Sequence, residues 1–145
     1  MASVLIVDDN RVFAKNQQKA LEDAGHTVTC VTRDYIGQFH TELLRLLAEQ
    51  YWDVFVLDIS LMTERFGGIW LYNKLAGGGH RERWNHTIIY TKLAGTEIAS
   101  ATEGDQLVLR VFVDTSGIPF DCVMNNQVGG RQSLIDKIAE LTQGG

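Results

Sequence analysis

Three aspartates carry most of the chemistry this sequence offers. Asp58 ends the apolar run at residues 54–57 within the stretch WDVFVLDIS, residues 52–60, and Asp8 and Asp9 close a second apolar run at residues 4–7. Both runs are short, continuous and rich in Val, Ile and Leu, as expected of strands buried on both faces of a parallel sheet. An Asp after a strand is commonly a turn former or a helix cap, and Asp58 by itself would support that reading as well. The two runs together say more. Strands of one polarity end along one sheet edge, where open α/β sheets place ligands, so Asp8, Asp9 and Asp58 would converge there. Like charges a few ångströms apart repel by several kcal/mol at intermediate dielectric. Such a cluster needs either a raised pKa or a cation, and hard oxygen donors with room for water suit Mg²⁺. A fourth apolar run, residues 87–90, ends at Thr91 and Lys92, bringing a hydroxyl and an ammonium to the same edge.

The elements that must position these groups alternate along the chain. Asn10 is placed to cap a first helix carrying Val12, Phe13, Ala20, Leu21 and Ala24 on one face, and Gly25 stops it. Residues 26–32 alternate and are rich in Val and Thr, predicting the second strand. Asp34 is the expected cap of a second helix built on Ile36, Phe39, Leu43, Leu46 and Leu47, which feeds the central strand. After a loop at residues 59–68, Ile69, Leu71, Tyr72 and Leu75 begin a third helix, and Gly68 can let backbone approach closely at its start. Residues 77–84, GGGHRERW, read as a flexible, locally basic and solvated connection. Residues 93–105 predict a polar helix. Residues 107–113 suit a strand or a buried helix, and alternation favours the helix. A fifth strand is expected at residues 120–124, followed by Asn125 and Asn126, a turn at Gly129 and Gly130, and a last helix capped by Ser133 with Leu134, Ile135, Ile138, Ala139 and Leu141 on its buried face. Strand, helix, strand repeated in this way makes a parallel sheet covered on both faces.

Composition narrows the function classes. At 145 residues the chain fits a single domain, 1–145, with a sizeable core. A formal charge of -5 argues against a nucleic-acid surface, which needs clustered Lys and Arg. Cys30 and Cys122 are too few and too far apart for a disulfide framework or a zinc site and read as reduced core thiols. Charged residues follow the first apolar run at once, and no apolar stretch is long enough to span a bilayer, so no membrane association and a cytoplasmic location are expected. The sequon Asn85-His86-Thr87 carries no meaning there.

An acidic pair after the first strand, a lone Asp after the third and a Thr after the fourth, within five strand and helix alternations, resemble the receiver domain of two-component response regulators. Ile6-Val7-Asp8-Asp9-Asn10, Val56-Leu57-Asp58 and Gly68 match the family pattern, and the resemblance covers essentially the whole chain. It implies an α/β, flavodoxin-like three-layer (βα)5 fold with a parallel five-stranded sheet in the order 2-1-3-4-5. It also implies that Asp58 is the phosphoryl acceptor, that Asp9 and Asp58 bind Mg²⁺ directly with the Ser60 backbone carbonyl, that Asp8 acts through a water, and that Thr91 hydrogen-bonds the phosphoryl group. The implied partners are a histidine kinase or phosphotransfer protein, and a downstream protein target or a second copy of the domain.

The departures are local. The family pattern has Lys then Pro at the end of the fifth strand, where this chain has Asn125 and Asn126, and Cys122 or Val123 falls about where the switch aromatic belongs. An Asn donates a hydrogen bond but brings no charge, so a contact of roughly 1.5 to 3 kcal/mol would be lost. Lys92, directly after Thr91, is placed either to reach over the pocket and supply part of that charge or to point into solvent. Two functions follow from these residues: a phosphoacceptor switch, and a pseudo-receiver that works through protein contact without phosphorylation. A phosphatase using Asp58 as nucleophile fits less well, because Ser60 stands where a second Asp would be needed.

Overall fold

The computed structural model describes residues 1–61, 66–91, 98–125 and 130–143, without the side chains of 125 and 130–132. Five parallel strands, β1 (Ser3–Val7), β2 (Thr27–Val31), β3 (Trp52–Asp58), β4 (Trp84–Thr91) and β5 (Val123–Asn125), form one sheet in the order β2-β1-β3-β4-β5. Between and after them run α1 (Arg11–Asp23), α2 (Ile36–Glu49), α3 (Gly67–Gly77), α4 (Gly104–Ser116) and α5 (Gly130–Thr142). The period of two along each strand divides the core. Val4, Ile6, Val54, Val56 and Ile88 face Leu21 of α1 with Leu134 and Ile138 of α5. Leu5, Val7, Phe55, Leu57 and Ile89 face Leu43 of α2, Leu71 and Leu75 of α3, and Phe112 of α4. The sheet is therefore the middle of three layers, as the α/β expectation required. Among the described residues no helix is long and apolar enough to cross a membrane.

From β1 the chain moves to one side for β2, then returns past β1 to β3. The reversal leaves a crevice between the carboxyl ends of β1 and β3, the usual ligand position in such sheets. The register Val7↔Leu57 sets Asp8 beside Asp58 across it. At the opposite edge Asp53 Oδ2 accepts from the Ser3 amide at 2.9 Å and the Ser3 hydroxyl at 3.2 Å, while Ser3 Oγ accepts from the Asp53 amide at 3.0 Å. This clip fixes the same register from below. Asp53→Ala is expected to cost about 1.5 kcal/mol, measured by urea titration.

Several boundaries differ from the sequence reading, each for a local reason. Residues 101–103 are not helical: Glu103 is extended, Gly104 has φ 68°, and α4 starts only there, so the helix expected over 93–105 does not run through. That left-handed φ suits glycine and interrupts a helix. The apolar 107–113 segment does lie inside α4. Phe120–Cys122 is a 3₁₀ turn, which delays β5 to Val123. Tyr35, rather than Asp34, is the α2 N-cap, because Gln38 Oε1 reaches back to accept from the amides of both residues at 3.2 Å. α5 opens at Gly130, placing Ser133 inside it. Val12 is 71% exposed rather than on the buried face. The basic segment is tied down: Arg81 donates to the Trp84 and Asn85 carbonyls at 2.6 and 3.0 Å and lies over the Trp84 ring, and Arg83 donates to the Leu47 carbonyl at 2.7 Å. Both cysteines are free, Cys122 buried and Cys30 half-buried. Asn126 and Lys92 lie outside the described residues, as does Gly129.

Candidate metal and phosphoryl site

Asp8 and Asp58 end neighbouring strands on the same side-chain parity, so both project to the α1 and α5 face of the sheet at its carboxyl edge. Asp9 follows Asp8 directly. One carboxylate oxygen from each of the three lies within 4.8 Å of the others, with Asp8 buried and Asp9 and Asp58 half-buried. Each turn is held by its own backbone. Asp8 Oδ1 accepts from the Asn10 amide at 2.8 Å, and Asn10 Oδ1 in turn accepts from the Phe13 amide at 3.0 Å, capping α1. Asp58 Oδ1 accepts from the Ser60 amide at 3.2 Å. The next turn is braced from both sides, by the Ile59 amide on the Tyr90 carbonyl at 3.1 Å and the Gly68 amide on the Ile59 carbonyl at 2.7 Å.

Gly68 is the tightest position. A Cβ there would stand 2.3 Å from the Asp58 carbonyl oxygen and 2.7 Å from Ile59 Cα, so α3 can press on the Asp58–Ile59 turn only because this residue has no side chain. The expectation of a close backbone approach at the helix start thus has its partner: the backbone of Asp58 itself.

Burial, and then the Asp8 charge, push the Asp58 carboxyl up to about 8, against the Ser60 amide, which draws it down. Burial pushes Asp8 up to about 6, partly offset by the Asn10 amide and reinforced by the Asp9 charge. Without a cation the folded state therefore holds protons here that the unfolded chain releases near the ordinary value of 3.8. Stability from this source is full below that value and is lost as pH rises through about 6 and about 8. In thermal melts of the metal-free protein we expect Tm to fall as pH is raised from 5 to 8, and saturating Mg²⁺ to flatten that slope.

The donor set fits a hard divalent cation: it is all oxygen, carries negative charge and lies at an open sheet edge. Of the residues singled out in the sequence, the structure brings Asp8, Asp9 and Asp58 together, places exposed Ser60 two residues beyond Asp58, and ends β4 at half-buried Thr91, paired with Asn125 of β5. Tyr90, in register with Asp58, shows in the sequence only as an apolar strand residue. Gln17 is a polar side chain on the buried face of α1 that the expected apolar face does not include. The signal available was a Gln one turn from Phe13 within an apolar helical face.

No protein-family model matches the sequence, and no curated protein matches it. Solved structures do match. The receiver domain of the Francisella response regulator 1452 superposes with TM-score 0.66 at 21% identity, over 97% of this chain and 96% of that one. This chain has the receiver fold. A CheY-like response regulator receiver domain protein from Methanospirillum hungatei gives TM-score 0.65 at 22% identity, over 97% and 92% of the two chains. Chemotaxis response regulator CheY4 of Vibrio cholerae gives 0.65 at 15% identity, over 97% and 98%. With the receiver fold in place, the acidic crevice lies at the strand reversal that the fold uses for ligands, and the sheet order implied by the sequence resemblance is the one observed.

Proposed function

We propose that this protein is a phosphoacceptor receiver, taking a phosphoryl group on Asp58 and changing its protein contacts as a result. The observation that carries the reading is the convergence of Asp58 with Asp8 and Asp9 within 4.8 Å at the switch point of a receiver fold. Asp9 and Asp58, with the Ser60 carbonyl, would hold Mg²⁺, and Asp8 would act through a water. When bound, the ion neutralises charge shared between the nucleophile and the transferred oxygens. An Asp58 carboxylate oxygen forms a bond to phosphorus as the bond from phosphorus to the donor breaks, the donor leaving with the electron pair. Asp58 is aimed by its strand and by the Ser60 amide, so the protein's share is positioning and electrostatics.

The aspartyl phosphate adds charge at the edge where β4 ends. Thr91 would hydrogen-bond it and draw the adjoining loop inward, a local electrostatic switch read on the surface between α4 and β5. Lys92 follows Thr91 and would supply part of the positive charge that Asn125 does not bring. The phosphodonor would be a histidine kinase or phosphotransfer protein and the reader a protein target or a second copy, in the cytoplasm. Activity of its own would be limited to self-phosphorylation from a small donor and autodephosphorylation. The Asn125-Asn126 pair at the end of β5 favours a second reading, a pseudo-receiver signalling by contact alone.

Intact mass after incubation with Mg²⁺ and acetyl phosphate separates the two. We expect one phosphoryl group on the parent and none on Asp58→Asn. No gain in the parent at any donor concentration, with Mg²⁺ binding established by calorimetry, selects the pseudo-receiver.

A further inference from the structure

Tyr90 stands in register with Asp58 on the strand ladder, and Asp58 neighbours Asp8, so the three share one face in the order Asp8, Asp58, Tyr90 across the carboxyl edge. The first two are the acidic site. The third sends a phenol ring against α1, where Phe13 meets it edge-on at 6.1 Å between centroids. One helical turn further along the same face is Gln17. Gln17 is 1% and Tyr90 2% exposed, yet Gln17 Oε1, Gln17 Nε2 and the Tyr90 hydroxyl have no hydrogen-bond partner among the described residues. The two side chains nevertheless act on each other. Burial pushes the phenol above its ordinary range, the Gln17 side chain draws it back, and the Asp8 charge pushes it up again. Gln17 thus neighbours the hydroxyl and acts on it as a weak hydrogen-bond donor would, although the pair does not meet strict bonding geometry.

Native proteins seldom leave three buried polar atoms unpaired in one place, and such groups are the usual partners of internal water. We propose that Gln17 and Tyr90 wall an internal water site beneath the acidic cluster, and that this water is a second polar link between the Asp8–Asp58 row and helix α1, in addition to the Asp8–Asn10 cap. An amide oxygen, an amide N–H and a hydroxyl offer the two to four partners that a buried water needs. The site takes solvent and no ion, since neither wall is charged. Tyr90 and Gln17 are then positioning residues: the water holds the phenol in place beside Asp58, and a change of charge at the carboxylates reorients the hydroxyl, the water and the Gln17 amide in turn.

The test is made on the whole chain in solution. In the metal-free protein, water-to-protein NOEs should reach the Gln17 side-chain amide. Tyr90→Phe, which strands the Gln17 amide, should lower Tm, and adding Gln17→Leu should recover most of the loss, because all three polar atoms are then gone. Absence of the NOE, or a Tyr90→Phe protein as stable as the parent, overturns the water site. The link to the acidic row rests on the proposed cation-binding reading and has its own measurement. On Mg²⁺ titration the Gln17 side-chain amide should shift with the midpoint of the Asp58 backbone amide, and the shift should vanish in Tyr90→Phe. A response at Asp58 without one at Gln17 overturns the link. No response at either removes the cation reading and the link together, while the water site is still decided by the metal-free measurements.

Discussion

Gly68→Ala is expected to melt about 10 °C below the parent, a loss of about 3 kcal/mol for a chain of this size, and to accept little or no phosphoryl group. The added methyl would sit 2.3 Å from the Asp58 carbonyl oxygen and 2.7 Å from Ile59 Cα, and both are backbone atoms that no rotamer change can remove. Either α3 lifts away, breaking the 2.7 Å bond from the Gly68 amide to the Ile59 carbonyl, or the Asp58–Ile59 turn moves. Both outcomes displace Asp58 from its partners by a distance that matters for in-line attack. Gly77→Ala is the control: nothing lies within 4 Å of a Cβ there, and alanine favours the helix, so its Tm should equal or exceed that of the parent. Calorimetry gives the stabilities, and intact mass with acetyl phosphate reports the acceptor. A Gly68→Ala protein with parental stability would mean that α3 does not press on this turn in solution.

Asp58→Asn is expected to raise Tm of the metal-free protein by about 5 °C, on the order of 2 kcal/mol, although it deletes the proposed acceptor. Three carboxylates within 4.8 Å store repulsion that folding must overcome, and neutralising the member with the most strongly raised pKa relieves its interaction with both others. Asn keeps the shape and can still accept from the Ser60 amide. Mg²⁺ should reverse the order: the parent gains stability with increasing Mg²⁺ while the variant gains much less, because binding to the folded state alone stabilises it. Thermal melts at pH 8 across a Mg²⁺ series read both effects. A parent that does not respond to Mg²⁺ and a variant no more stable than the parent would together show that the carboxylates neither repel nor hold a cation.

These two expectations draw on different kinds of information. The charge cluster was legible in the sequence because a buried parallel strand announces itself by a short, β-branched run. The residue ending such a run must lie at the sheet's carboxyl edge, so Asp8, Asp9 and Asp58 could be brought together without coordinates. Helical spacing in the same way placed Leu43, Leu71 and Leu134 in the core, where they are fully buried. The cap at Asn10 was equally readable, because it depends on a bond only three residues long.

What escaped was set by contacts between distant segments or by competition at a boundary. Arg81 and Arg83 look like solvated charges until their carbonyl partners, one of them 36 residues away, come into reach. Gln38 outcompetes Asp34 at the start of α2, and Gly104 adopts a left-handed φ that propensity does not reveal. Gly68 lies between the two kinds. Its type announced a close approach, but only the packing of α3 on β3 shows that the approached atoms are those of Asp58 and Ile59. By itself the sequence determined the strand ends, the helix faces and the identity of the carboxylates, because these follow from periodicity along one segment. Only the tertiary structure decided the 4.8 Å convergence, the raised pKa values of Asp8 and Asp58 and the polar pair of Gln17 and Tyr90 beneath them. Distance, burial and the absence of a partner are properties of segments packed together, and no single segment carries them.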